Sequence, residues 1–222
     1  MLNFIFPKKD IKNNIWNYFS DKIKKELISY DEVCYICKKA SSNFQTHKYC
    51  KKANSLDKVV VCFHYTSKIK KYILQFKFYH KKHIYEEIWN LMNIFFEIYF
   101  NKTNKEKTAI TYVPMHWWRK YFIKWYNQSE LIAKYIWKKQ NIKVIKLCKK
   151  NKLTKPQSKI KKKENRLKNI KNTFSCKKLG WIENIIIVDD ILTSWTTLEE
   201  LSKSIKQQNE NIKISAIVFA RK

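Results

Sequence analysis

Asn184-Ile-Ile-Ile-Val-Asp-Asp-Ile-Leu-Thr-Ser-Trp-Thr-Thr-Leu-Glu-Glu200 is the stretch whose reading decides the fold. The β-branched run from Ile185 to Val188 predicts a strand buried on both faces, as the central strands of a parallel sheet are. Asp189 and Asp190 follow at its carboxyl end, the edge at which open α/β sheets bind their ligands. Thr193, Ser194, Thr196 and Thr197 then precede Leu198, Leu201 and Ile205 at helical spacing, and Glu199 and Glu200 in the first turn suit the helix dipole. A helix that opens there aims free backbone N–H groups at an anion.

Paired carboxylates accept hydrogen bonds from a ribose diol, while a hydroxyl-rich turn at a helix N-terminus holds a phosphate, so a sugar phosphate satisfies both halves of the stretch. The bland alternative is a buried strand followed by a capped helix, with the aspartates serving a turn. The pattern resembles the phosphoribosyl pyrophosphate (PRPP) signature of the type I phosphoribosyltransferases: apolar strand, Asp-Asp, two residues, then Thr-Thr/Ser-Gly-x-Thr. That resemblance implies that Asp189 and Asp190 hold the ribose 2′ and 3′ hydroxyls. It also implies that the loop of Thr193, Ser194, Trp195, Thr196 and Thr197 cradles the 5′-phosphate.

Trp195 stands where that signature has glycine. A phosphate loop uses glycine because the backbone approaches the ligand closely and can require positive φ, and an indole obstructs both. The chain has one glycine, Gly180, and eight tryptophans, whereas average usage of about 7% would give roughly fifteen glycines. One hypothesis explains the imbalance: some tryptophans are mistranslated glycines, from a genome that reads UGA as glycine but was decoded with UGA as tryptophan. Trp125 and Trp195 are the foremost candidates, with Trp181 next. The competing account is a lineage that uses tryptophan at these positions and has lost the site.

At 222 residues and 45% hydrophobic content the chain can bury a sizeable core, and it fits one domain with a small attachment. The opening Met-Leu-Asn-Phe-Ile-Phe is too short for a signal-peptide core. Ile88 to Phe100, the most apolar helix candidate, falls short of the roughly 20 residues a membrane span needs. No membrane span and a cytoplasmic location are therefore expected. The 47 lysines and arginines against 18 acids leave a net charge of +29, which favours polyanions, with nucleic acid the first candidate. Abundant lysine, asparagine and isoleucine give a second account of the same charge, since AT-rich codons would produce them.

Cys34-Tyr-Ile-Cys37 is followed after nine residues by His47-Lys-Tyr-Cys50. Two short-spaced pairs can fold four ligands into a tetrahedron, and three thiolates with one imidazole suit structural Zn²⁺, leaving no open position for catalysis. Cys62, Cys148 and Cys176 read as packing residues.

From the start, Asp10 to Tyr30 predicts an amphipathic helix. After the knuckle, Val59 to Tyr65 predicts a strand, Ile69 to Phe78 and Glu86 to Phe100 helices, Thr108 to Pro114 a strand, Ser129 to Lys138 a helix, and Lys143 to Leu147 a short strand. The Asp-Asp strand, its helix and a last strand from Ile212 to Ala220 complete the series. Such alternation predicts an α/β fold with a mostly parallel sheet flanked by helices. His80 and His83 could share a helix face but have no nearby acids. The basic segment from Lys146 to Lys171 is too long for an ordinary connection. It reads either as a basic lid over the ligand edge or as a solvated charge run.

Within that segment Thr154, Gln157, Arg166, Asn169 and Phe174 recur as T-x-x-Q-x8-R-x-x-N-x4-F. With the knuckle, Val113-Pro-Met-His116, Arg119 and Asn127-Gln128, this spacing makes the chain resemble the ComF family over roughly residues 30 to 220. Lys124 and Trp125 depart from the family's Arg-Gly before Phe/Tyr-Asn-Gln. The chain then reads as three parts: the N-terminal helix (1–30), the zinc knuckle (31–57) and, by the resemblance, a type I phosphoribosyltransferase-like domain (58–222). The resemblance further implies binding of PRPP or a related sugar phosphate with Mg²⁺, service to DNA uptake in natural competence, and glycosyltransferase chemistry. No general base or acceptor pocket is readable, so the catalytic residues stay unassigned. Two alternatives stay open. One is a non-catalytic accessory with a vestigial PRPP site that engages single-stranded DNA or competence and helicase proteins, and the other is an active phosphoribosyltransferase of nucleotide metabolism.

Overall fold

The computed structural model describes residues 31–52, 56–67, 69–71, 73, 82–116, 126–154, 160 and 163–222, with only the helical backbone at 82–85, 163 and 166. The expected helix over 10–30, most of that over 69–78, Arg119, Lys124, Trp125, Gln157 and the side chains of His80 and His83 lie outside this description. The strands are β1 (Lys58–His64), β2 (Thr108–Tyr112), β3 (Cys148–Lys150), β4 (Phe174–Cys176), β5 (Asn184–Leu192) and β6 (Lys213–Arg221). The helices are α1 (Lys82–Phe100), α2 (Gln128–Gln140), α3 (Lys163–Ile170) and α4 (Thr196–Lys206).

β-branched runs form the sheet because their stiff side chains pack well on a pleated surface. The order is β1-β6-β5-β2, every pairing is parallel, and successive residues feed opposite cores. Val60, Ile186, Val188 and Ile217 join Met92 and Phe95 of α1 and Ile132 and Ile136 of α2. Val59, Val61, Ile185, Ile187 and Val218 join Leu198, Leu201 and Ile205 of α4, with Ile170 of α3. This three-layer arrangement is the α/β architecture the alternation predicts. Each fully buried aliphatic side chain contributes about 1.5–3 kcal/mol relative to exposure.

Lys143 to Leu147 does not form the expected strand. Only Val144 bridges, in parallel, to Ile110, through Ile110 N–H to the Lys143 carbonyl at 2.9 Å and Ile145 N–H to the Ile110 carbonyl at 2.9 Å. Ile110 is paired with Ile186 of β5 on its other side, so Val144 marks a rudimentary outer neighbour of β2. The chain leaves β2 toward that outer side and leaves β5 toward β6, in the opposite direction. A topological switch point therefore falls between the carboxyl ends of β2 and β5, where open α/β sheets form a ligand crevice.

The basic segment is not a structureless loop either. It carries β3 and α3, and β3 pairs antiparallel with β4, placing Cys148 opposite Cys176 in register. These two cysteines form a disulfide, against the expectation of packing residues, while Cys62 is fully buried as expected. Among the described residues no helix is long and apolar enough to cross a membrane.

Candidate functional site

At the switch point β5 outruns its neighbour. The β2 ladder ends at Tyr112 opposite Val188, and β5 continues beside β6 until Leu192 lies opposite Arg221. Asp189 is thus the first β5 residue beyond the β2 ladder, and both aspartates are half-buried. Oδ1 of Asp189 accepts hydrogen bonds from Ser129 Oγ and from the Asp190 N–H, each at 2.9 Å, while Oδ1 of Asp190 accepts the Ile191 N–H at 2.7 Å. These bonds orient the two carboxylates.

Asn127 joins this corner to the end of β2. As the N-cap of α2 it accepts the Ser129 N–H at 3.2 Å, and its Nδ2 donates to the Val113 carbonyl at 2.9 Å. Asparagine suits the place because its side chain satisfies one of the free donors of a helix start. Beside it Gln128 is buried to 3% exposure, and its Nε2 has no hydrogen-bond partner among the described residues. A buried donor in that condition costs about 1–3 kcal/mol. The structure therefore brings together the segment after β2, Asn127-Gln128 and Asp189. Thr154 is buried and Asn169 half-buried on α3. Arg166 lies on the same helix.

The hydroxyl loop follows at the start of α4. Ser194 Oγ and Thr196 Oγ1 are 2.7 Å apart, Thr196 is buried, and Thr193, Ser194, Trp195 and Thr197 are half-buried. Trp195 has φ −68° and ψ −18°, ordinary right-handed values. Positive φ is therefore not what glycine would supply here, and bulk is the remaining conflict with a close ligand. The indole lies 5.1 Å from the Tyr35 ring, centre to centre. Lys38 Nζ and Arg221 Cζ stand 4.1 Å and 4.6 Å from its ring centre, distances typical of cation–π contacts. Lys38 is exposed overall, yet partial withdrawal of its ammonium from water pushes its pKa down to about 8, and the Arg221 charge adds to the effect.

The Cys34, Cys37, His47 and Cys50 ligand atoms all lie within 4.8 Å of one another. The first ligand pair is held by a tight turn in which Lys38 N–H donates to the Cys34 carbonyl at 2.9 Å and Cys34 N–H to the Lys39 carbonyl at 3.0 Å. Lys38 takes φ 65° there. His47 Nε2 is 3.1 Å from the Ala40 carbonyl and Nδ1 is 3.3 Å from Cys37 Sγ. Donation through Nε2 would leave Nδ1 as the metal-facing nitrogen, the arrangement metal-binding histidines use. The Tyr49 hydroxyl, 2.9 Å from the same Nδ1, is the partner a metal would replace. The Lys39 backbone N–H lowers the Cys37 thiol pKa to about 6, despite opposing burial, and His47 adds to the effect. Three sulfurs and one imidazole so grouped can hold a metal ion, and the set fits structural Zn²⁺.

The knuckle is anchored to the sheet rather than appended to it. Asp57 N–H donates to the Ile214 carbonyl of β6 at 2.7 Å, Ile214 N–H donates to Asp57 Oδ2 at 2.8 Å, and Tyr99 Oη of α1 donates to Glu32 at 2.9 Å. Sequence reasoning missed Ser129, Tyr35, Lys38 and Arg221 at this edge. Ser129 had a local signal, two residues after a capping asparagine, whereas nothing in the pattern around Arg221 places it beside residue 195.

A scan of the chain against protein-family models finds no match, and a search of curated proteins finds none either.

Proposed function

We propose that this chain is a ComF-like protein whose type I phosphoribosyltransferase-like domain binds PRPP, or a related sugar phosphate, with Mg²⁺. One observation carries the reading: two oriented carboxylates and a hydroxyl loop at a helix start follow one strand at the sheet's switch point, and Ser129 and Asn127 tie them to the end of β2. In this reading Asp189 and Asp190 receive the ribose hydroxyls and the loop from Thr193 to Thr197 receives the 5′-phosphate. Asn127 and Gln128 stand beside the end of β2 with no role assigned, and Arg119 is likewise a motif position of unassigned role. Mg²⁺ bound with the ligand would supply charge neutralisation at the pyrophosphate. If the protein is a transferase, a nucleophile bonds to C1 as the C1–oxygen bond breaks, and pyrophosphate leaves with the bonding electrons. The protein's share is then positioning and charge stabilisation.

The proposed setting is DNA uptake in the cytoplasm. A non-catalytic accessory role on single-stranded DNA is the second reading, and the net charge of +29 is the observation that favours it. The first reading takes Trp195 as a glycine decoded as tryptophan, whereas a genuine tryptophan there fits an accessory whose PRPP site is vestigial.

Calorimetric titration of PRPP with Mg²⁺ into the chain as written and into its Trp125→Gly/Trp195→Gly version tests the proposal, each with an Asp189→Ala/Asp190→Ala control. Binding by the glycine version, abolished in its control, is expected. Absence of binding by both versions overturns the sugar-phosphate reading. Mass spectrometry of the native protein tests the decoding separately, and an intact tryptophan at position 195 would sink it.

A further inference from the structure

We propose that the Cys/His knuckle forms one wall of the phosphate site, with Lys38 of the knuckle and Arg221 of β6 clamping the ligand's 5′-phosphate between them. This rests on the sugar-phosphate reading above and adds a part to it: the metal-binding attachment and the sheet edge make a single anion site.

Two cations from distant parts of the chain converge on one side chain. Lys38 Nζ is 4.1 Å and Arg221 Cζ 4.6 Å from the centre of the Trp195 ring, and the Tyr35 ring centre is 5.1 Å from it. Like charges gathered around one volume repel, and an electron-rich ring relieves that only in part. An anion in the same volume would relieve it more fully, since phosphate pairs with both ammonium and guanidinium through charge-assisted hydrogen bonds. With glycine at position 195 the volume now filled by the indole opens beside these cations. It lies beside Ser194 and Thr196, whose hydroxyls are 2.7 Å apart.

Each cation is held by its own element. Arg221 ends β6 in register with Leu192 of β5, and its carbonyl accepts the Tyr65 N–H at 2.9 Å. Lys38 follows the second cysteine of the knuckle at φ 65°, inside the turn that sets Cys34 and Cys37 on one side of the metal-binding cluster. Its ammonium also donates to the Tyr35 carbonyl, and Cys34, Glu199 and Cys37 act on its charge through space. A left-handed backbone at a lysine persists only where its surroundings enforce it. The metal-binding turn therefore does more than fold the knuckle: it fixes where the Lys38 charge lies relative to the sheet.

Titration of ribose 5-phosphate into the Trp195→Gly protein, and into that protein carrying Lys38→Asn, Arg221→Gln or Asp189→Ala/Asp190→Ala, tests the clamp. Asparagine is chosen at position 38 because it tolerates positive φ. The expected result is at least a tenfold loss of affinity in each single cation variant and loss of binding in the double aspartate variant. Binding within twofold of the parent by either cation variant, with the aspartates still required, overturns the clamp and leaves the sugar-phosphate reading standing. No binding by the Trp195→Gly parent overturns both. Zinc content is measured in every variant, and if Lys38→Asn no longer holds one zinc per chain, Arg221→Gln decides alone.

Discussion

Ser129 Oγ donates a 2.9 Å hydrogen bond to Oδ1 of Asp189, across 60 residues of sequence and between two elements of different kind. The bond couples the N-terminus of α2 to the carboxyl end of β5. In the proposed site Asp189 reads a ribose hydroxyl, and Ser129 keeps its carboxylate turned toward that task. Ser129→Ala in the glycine-195 protein is expected to weaken PRPP binding about tenfold, because hydrogen bonds to charged groups contribute roughly 1.5–3 kcal/mol. The thermal midpoint should move by only a few degrees, so calorimetry and melting together separate positioning from folding.

The knuckle gives the second prediction. Purified protein is expected to carry one zinc per chain, and Cys37→Ser to carry less than one. Chelation should release the metal and loosen the turn at Lys38, since the binding free energy of a structural zinc is also folding free energy. Trp195 reports the change, because its ring contacts Tyr35 and Lys38 of the knuckle. A normally folded protein without bound zinc would count decisively against the site.

How much of this was readable in the sequence depends on the range of the interactions. The β5 run, its alternation between two cores and the place of the aspartates follow from residues adjacent in sequence, so a local pattern predicts them. The strand expected at 143–147 fails because strands exist only with partners: β2 offers Val144 a single bridge, and the chain then turns to pair β3 with β4. The Cys148 to Cys176 pairing likewise depends on a register between strands 28 residues apart, which spacing alone does not encode. Gathering Lys38 and Arg221 around residue 195 is a still longer-range outcome of docking the knuckle on the sheet. The ordinary φ of Trp195 corrects a local inference, since no positive φ at this position calls for glycine.

The tryptophans make a third, graded test. Trp181 is 57% exposed, so Trp181→Gly should change stability by less than about 0.5 kcal/mol. Trp137 lies inside α2 and is also exposed, and glycine there should cost about 1 kcal/mol relative to alanine from helix propensity alone. Ile187→Ala, at a fully buried position of β5, should cost about 2–5 kcal/mol and serves as the reference for a core loss. Urea unfolding of the set checks the order. A Trp181→Gly loss as large as that of Ile187→Ala would show that the tryptophan is an integral packing residue.

Lys58 supplies the last prediction, away from the proposed site. It is 7% exposed at the start of β1, donates to the Tyr99 carbonyl near the end of α1, and lies over the Tyr99 and Phe100 rings. Burial lowers its pKa to about 8, while Glu32 opposes the shift. The unfolded chain would keep this proton up to about pH 10.4. Between these values the unfolded state binds more protons than the folded state, so this group makes stability rise with pH across that window. Below about pH 8 both states are protonated and its contribution is level. Lys58→Met should remove the rise while leaving the titrations of the other lysines and tyrosines in place. The difference between the two urea-unfolding profiles, measured from pH 7 to 10, should therefore grow with pH in favour of the lysine protein. A difference independent of pH would show that the buried amine keeps the proton affinity of an exposed lysine.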